Sequence, residues 1–173
     1  MLSDLELMAN LDYYEGTYKS PTYDLRTMLL SSKASILEVC GWVEQAMDLF
    51  VMDTARRCGL SPARQEWISQ KYVRPTSGFS YQGHFEKMIV SVVGYRVLEE
   101  AESKAGGVIP IMEGTLSDLT KLRNHYAHTH FNSIDPYPKN MTGIPAPTLL
   151  KSHAKTVVVG LKELETQMIH LNC

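Results

Sequence analysis

The chain has 173 residues, of which 44% are hydrophobic, so it can bury a core and is neither a disordered tail nor a fibre. Seventeen basic and nineteen acidic residues give a formal net charge of −2, which excludes a wholly basic nucleic-acid coat but not a local basic groove. No apolar run reaches the length of about 18 residues that a membrane helix needs, and the first residues carry acids where a leader peptide needs bases.

The cysteines indicate a reducing compartment. Cys40, Cys58 and Cys173 are widely spaced and form no CxxC pair, which argues against a disulfide framework and against a structural zinc site. The chain also shows no Gly/Ser linker and no internal repeat. We therefore predict a single domain over residues 1–173, with reduced thiols, in the cytoplasm and not in a membrane.

Two helices are predicted in the first third of the chain. Residues 2–15 place apolar side chains at steps of three and four, and Gly16 ends this segment. From Thr22 to Arg57 no proline interrupts a second apolar stripe, which makes this the longest predicted helix. The first stripe is Leu2, Leu5, Met8, Ala9 and Tyr13, and the second is Ile36, Val39, Cys40, Val43, Met47 and Phe50.

The middle of the chain is predicted to alternate between helix and loop. Ser61 followed by Pro62 is typical of a helix start, and predicts a short helix to about residue 71. Residues 72–83 contain a proline and two glycines without periodicity, which predicts a loop with exposed aromatic side chains. Residues 84–104 have helical spacing again, and Gly106-Gly107 end that helix.

The last part of the chain predicts two more helices around a long surface segment. Thr115 with Asp118 resembles a capping box and predicts a helix start. Four prolines within residues 131–147 exclude regular helix there. Apolar stripes mark both helices: Leu116, Leu119, Leu122 and Tyr126 in one, and Val157, Leu161, Leu164, Met168 and Leu171 in the other. Because no strand pair with a hairpin turn is evident, we predict an all-α fold, an antiparallel bundle of five or six helices.

The side chains best suited to catalysis or ligand binding lie in the stretch KLRNHYAHTH, residues 121–130, which holds three of the six histidines. The plainest interpretation is a solvated C-terminal end of a helix, where positively charged side chains interact favourably with the helix dipole. A metal site built from His125, His128 and His130 is a weaker alternative, because neither a neighbouring carboxylate nor an HExxH pattern accompanies them. We expect neither a metal nor another cofactor.

A third interpretation is an RNA-cleaving site. Without a metal, such a site needs a group that moves protons near neutral pH, a fixed cation for the pentavalent phosphate and a donor that orients the 2′-hydroxyl. His128, Arg123 and Asn124 supply these three functions. At about 100° per residue, Asn124 and His128 share a helix face while Arg123 points well away from His128. Two copies of the helix meeting across a two-fold axis would bring the Arg of one chain beside the His of the other.

The sequence RNHYAH, residues 123–128, resembles the signature of the HEPN superfamily, in which an Arg, commonly followed by a polar residue, precedes a His by a few positions. Arg123, Asn124 and His128 match those positions. The apolar Leu119 and Leu122, and the Trp42-Val43-Glu44 stretch of the long helix, also resemble prokaryotic HEPN proteins of the toxin and RNA-ligase/phosphatase-associated type.

This resemblance implies a small helical bundle that forms a homodimer and acts as a metal-independent endoribonuclease leaving a 2′,3′-cyclic phosphate. It implies a toxin or phage-defence role, with a possible cognate antitoxin. HEPN proteins paired with a nucleotidyltransferase antitoxin usually carry Tyr two places after the His, where this chain has His130, which argues against that partner. The alternative is a non-catalytic helical module that binds a protein or a nucleotide.

Other residues add to the predicted site. Lys121, His125 and His130 are candidates for binding the RNA, and His130 is also the alternative catalytic imidazole. The loop carrying Arg74, Phe79 and Tyr81 offers a cation and two rings that could hold an unstacked base, although such loops more often pack against their own domain. Glu44 and Asp48 lie four residues apart; as paired carboxylates they could do acid–base work, but they are more simply interpreted as the polar face of a long helix.

Overall fold

The computed structural model describes residues 3–127 and 143–171, which form α-helices joined by turns, with no β-strand among them. In chain order these are α1 (Leu5–Lys19), α2 (Leu25–Arg57), α3 (Pro62–Ile68), α4 (Glu86–Val93), α5 (Tyr95–Ala105), α6 (Val108–Tyr126) and α7 (Pro147–His170). The predicted all-α class is confirmed. The described ranges contain seven helices, however, where five or six were predicted.

Helix α2 is the longest element and packs against α1, α6 and α7. Its start is capped by Asp24, whose carboxylate accepts a hydrogen bond from the Thr27 backbone N–H at 2.8 Å. The predicted stripe is buried in full: Ile36, Val39, Cys40, Val43, Met47 and Phe50. Burial of each large aliphatic or aromatic side chain contributes about 1.5–3 kcal/mol. The stripe therefore fixes which side of α2 faces the core.

Helix α1 differs from its prediction in both extent and orientation. It continues through Gly16, which was predicted to end it. Its buried side chains are Leu7 and Leu11, whereas Leu5 and Tyr13 of the predicted stripe are 77% and 71% exposed. Both stripes have helical spacing, so periodicity alone cannot choose between them. Packing against α2 and α7 makes that choice.

Helix α3 starts as predicted. Pro62 is its first residue, and the Ser61 hydroxyl accepts a hydrogen bond from the backbone N–H of Arg64 at 3.3 Å. The helix then widens into a π-helical turn over Ser69–Val73, and a second π-helical turn over Tyr81–Phe85 leads into α4. Residues 74–80, between these two turns, form the loop that approaches the candidate site.

The predicted helix over residues 84–104 is divided in two by Gly94. This glycine has a φ of 77° and a ψ of 161°, a conformation that non-glycine residues rarely adopt. Helix α4 therefore ends at Val93 and α5 begins at Tyr95, which accounts for the additional helix. Helix α5 ends where predicted, because Gly106 has a φ of 61° directly after Ala105.

Helix α6 begins at Val108 and not at Thr115, so the predicted capping box is wrong. The Thr115 hydroxyl instead donates to the backbone carbonyl of Ile111 at 2.9 Å within the helix. Pro110 lies in the first turn, where backbone N–H groups have no acceptor within the helix, so a residue without an N–H costs no hydrogen bond. The longer helix places Arg123, Asn124, His125 and Tyr126 in the last turn of a continuous helix that packs against α2 and α7.

Helix α7 buries four members of the predicted stripe, Val157, Leu161, Leu164 and Met168, whereas Leu171 follows the helix and is only partly buried. It packs closely against α6 at Gly160, where an added Cβ would lie 2.8 Å from the Met112 Cβ and still closer to its sulfur. Of the predicted surface segment over residues 131–147, the part up to residue 142 lies outside the described residues. Neither described range contains a helix with the length and apolar character needed to cross a lipid bilayer.

Candidate functional site

The predicted catalytic residues lie at the C-terminal end of α6. Arg123 and Asn124 belong to its last turn, whereas His128 and His130 lie outside the described residues. The Arg123 side chain is 37% exposed, so it is anchored on one side and open to solvent on the other. The described part of the predicted site therefore consists of Arg123, Asn124 and the residues around them.

The packing of α6 on α2 brings Arg123 to Glu44. The thiol of Cys40 approaches the Leu119 carbonyl at 3.8 Å, and one helical turn further along both helices the Arg123 Nη2 lies 3.9 Å from the Glu44 Oε2. The Glu44 side chain is 28% exposed. An ion pair at this separation, partly shielded from water, restrains the guanidinium without removing its charge.

Glu44 also contacts the loop over residues 74–80. Its Oε1 accepts a hydrogen bond from the backbone N–H of Gly78. Gly78 has a φ of 129°, and an added Cβ would lie 2.8 Å from the Cε1 of His84, so only glycine fits here. The carboxylate therefore connects α2, α6 and this loop, and is not simply part of a solvated helix face. In the sequence Glu44 directly follows Val43 of the apolar stripe, and a carboxylate next to a buried face needs polar partners. That adjacency was the signal from which its contacts could have been predicted.

Asp48 lies one helical turn beyond Glu44 and is partly buried. Burial, and then the negative charge of Glu44, raise the pKa of Asp48 to about 6. A carboxyl that titrates near neutral pH is able to hold or release a proton under physiological conditions. The sequence identified Asp48 as one of two paired carboxylates but could not predict its pKa, which depends on neighbours that only packing supplies.

Cys40 is close to this cluster and has a different character. Burial raises the pKa of the Cys40 thiol to about 12, with a further upward contribution from Glu44 that the positive charge of Arg123 opposes. The thiol is therefore protonated at neutral pH and is a poor nucleophile. Cys40 and Cys58 form no disulfide among the described residues, in agreement with the sequence prediction for these two.

The predicted RNA-binding residues on α6 lie on its exposed side. Lys121 is exposed, and its ammonium is paired with Asp118 at 3.0 Å. Asn124 and His125 are exposed as well, and the His125 ring packs edge-on against Tyr126 at 4.5 Å between centroids. The structure thus brings Arg123 to Glu44 but leaves Lys121, Asn124 and His125 facing solvent.

The aromatic loop does not match its prediction. Phe79 and Tyr81 are 1% and 5% exposed, so their rings are part of the core and are not available to stack on a base. The Tyr81 hydroxyl donates to Glu102 Oε1 at 2.5 Å, which satisfies its polar end. Arg74 is exposed and lies 3.6 Å from Glu66.

A cavity of about 360 Å³ lies between the turn over residues 80–83 and α6. A second cavity, of about 600 Å³, adjoins it and shares Tyr81, Gln82 and Glu113 in its lining. Within residues 3–127 and 143–171, no group of three His, Cys, Asp or Glu side chains is placed to hold a metal ion. Two of the three imidazoles considered for a metal, His128 and His130, lie outside those ranges.

Comparison with known proteins gives no identification. No protein-family model matches the chain, and no curated protein or solved structure matches it significantly.

Proposed function

We propose that this protein is a metal-independent endoribonuclease of the HEPN type. The observation that carries the proposal is the Arg123 guanidinium, held by Glu44 at 3.9 Å and still 37% exposed, in the last turn of α6 where the RNHYAH stretch begins. An arginine that is restrained on one side and open on the other suits a substrate phosphate, because the guanidinium stays charged and can grip two oxygens at once.

In the proposed reaction the His128 imidazole removes the proton from a ribose 2′-hydroxyl. The 2′-oxygen attacks the adjacent phosphorus, and Arg123 stabilises the negative charge of the pentavalent phosphate. The bond to the 5′-oxygen then breaks, and that oxygen takes up the proton that His128 has removed. The products are a 2′,3′-cyclic phosphate and a 5′-hydroxyl end. Asn124 orients the substrate or holds the motif in shape, and no metal or cofactor takes part.

The proposal includes a HEPN-like antiparallel bundle and a homodimer. On a single continuous helix Arg123 and His128 would point to different sides, so we propose a two-fold pairing of two chains as the arrangement that joins them in one cleft. Lys121, His125 and His130 are proposed to contact RNA beside that cleft. A toxin or phage-defence role, with a possible cognate antitoxin, would follow from such an activity in the cytoplasm.

The test is cleavage of a mixed-sequence RNA in the presence of EDTA. We expect the wild type to cut, and Arg123→Ala and His128→Ala each to reduce the rate by about 100-fold or more. Arg96→Ala is the matched control, because Arg96 is an exposed arginine on α5. Equal cleavage by all four proteins would refute the assignment of the site.

The second candidate is a non-catalytic module that binds a protein or a nucleotide. It is favoured by a shallow groove between α6 and α7, where Ile111 and Val159 are more than half exposed. Expression in a bacterial host separates the two candidates. Toxicity that disappears with His128→Ala supports the nuclease, whereas normal growth together with stable binding of a partner supports the module.

A further inference from the structure

Residues on both walls of the cavity of about 360 Å³ between residues 80–83 and α6 are close in the chain to Arg123 or to its contacts. On α6, Thr120 lines the cavity and lies one helical turn before Arg123. On the other side, Ser80 lines the cavity and lies two residues after Gly78, which donates to Glu44. A group bound in the cavity would therefore lie near the end of α6 that carries Arg123. The volume is in the range of small-molecule sites, about 300–1,000 Å³.

The α6 wall of the cavity is rich in hydrogen-bond acceptors. Glu113, Ser117 and Thr120 have the i, i+4, i+7 spacing of a single helix face, and all three line the cavity. An ionised Glu113 carboxylate can only accept. The Thr120 hydroxyl donates its proton to the Leu116 carbonyl at 2.8 Å, which leaves its lone pairs for a ligand. This wall suits a ligand with neighbouring N–H donors.

The opposite wall is a fixed turn. The Ser80 Oγ lies 2.6 Å from the Nδ1 of His84, and a Cβ on Gly83 would come to 2.5 Å from that oxygen. Gln82 also lines this side and offers both an amide donor and an acceptor. Because these contacts hold the turn, the cavity is preformed, and binding of a planar ligand requires little further ordering of the protein.

Charge limits how the ligand can be oriented. Glu113 also lines the neighbouring cavity, together with Glu86, Glu99 and Glu102, so that side repels phosphate. On the other side, Lys121 lines the cavity, two residues before Arg123 on α6. A nucleotide would therefore place its uncharged base inward and its phosphate toward Lys121.

We infer that this cavity binds an unpaired guanine base of the RNA, next to the phosphate that is cleaved. The inference rests on the proposed ribonuclease function and adds its base preference. Guanine is the RNA base whose Watson–Crick edge presents two adjacent donors, N1–H and N2–H, which match the two oxygens of the Glu113 carboxylate. Its O6 acceptor can then receive a hydrogen bond from the Gln82 amide or the Ser117 hydroxyl.

The experiment compares cleavage of oligonucleotides that differ only in the one base beside the scissile phosphate. We expect the wild type to cut the guanine substrate about 10-fold faster than the others, and Glu113→Gln to lose most of that preference. Thr120→Val, which keeps the side-chain shape but removes an acceptor, should weaken the preference in the same direction. Glu99→Gln is the matched control, because Glu99 lines only the neighbouring acidic cavity of the two and should leave the preference unchanged.

A binding measurement separates this inference from the proposed function. Guanosine monophosphate and uridine monophosphate are titrated into each folded protein and followed by NMR. Tighter binding of the guanine nucleotide that depends on Glu113 supports the cavity assignment. If such binding is seen but no RNA is cut, only the ribonuclease proposal is refuted. Cleavage that depends on Arg123 but has the same base preference in Glu113→Gln would overturn the cavity assignment and leave the ribonuclease intact.

Discussion

Asp48 is expected to lower the stability of the folded protein at neutral pH, and Asp48→Asn to remove that cost. Burial and the charge of Glu44 raise the pKa of Asp48 from 3.8 to about 6. One pKa unit corresponds to about 1.4 kcal/mol, so a shift of about two units corresponds to about 3 kcal/mol. Because water still reaches part of this side chain, we expect Asp48→Asn to stabilise the protein by about 1–3 kcal/mol at pH 8.

The direction of the pH dependence follows from proton binding. Below pH 3.8 the Asp48 carboxyl is protonated in both the folded and the unfolded chain, so it imposes no cost. Between 3.8 and about 6 the folded chain keeps a proton that the unfolded chain has released, and the free energy of unfolding falls as the pH rises. Above about pH 6 the carboxylate is ionised in both states and the full cost remains.

The assay is urea denaturation of wild type and Asp48→Asn, followed by circular dichroism at several pH values between about 4 and 8. We expect the difference in unfolding free energy to be small at the lowest pH and to reach its plateau above about pH 6. Glu99→Gln, which removes the same charge from an exposed position on α5, should change stability by less than about 0.5 kcal/mol throughout. A difference between wild type and Asp48→Asn that is constant over this pH range would refute the reasoning.

Two further predictions concern the packing of the core. Gly160→Ala places a Cβ in the tight contact between α7 and α6 and should destabilise the protein by about 1–3 kcal/mol, whereas Gly114→Ala, at an open position on α6, should stabilise it by about 0.5–1 kcal/mol. Thermal unfolding shows whether each substitution raises or lowers stability. Destabilisation by both would contradict the conclusion that Gly160 is tightly packed and Gly114 is not. The Cys40 thiol should resist a disulfide reagent at pH 8 in a Cys58→Ser, Cys173→Ser background, because it is buried and its pKa is raised to about 12. Rapid labelling before urea is added would show that this thiol is accessible.

Local patterns were sufficient to predict much of the helical framework. The stripes of α2 and α7 are buried as predicted, because each helix carries one dominant apolar face and has only one way to remove it from water. The N-cap of α3 also follows from sequence, since Ser61 and Pro62 act on their own turn. The break at Gly94 was a local signal too, and treating residues 84–104 as one helix overlooked the conformational freedom of that glycine.

The sequence by itself determined the all-α class, the long central helix and the place of Arg123 and Asn124 on a helix, because these depend on neighbours within a few residues. Only the tertiary structure decided that Glu44, Gly78 and Arg123 meet, that Phe79 is buried and that Asp48 titrates near pH 6. Periodicity states which face of a helix is apolar, but it does not state which helix covers that face or which charge lies opposite. Those partners are far apart in the chain, and packing alone brings them together.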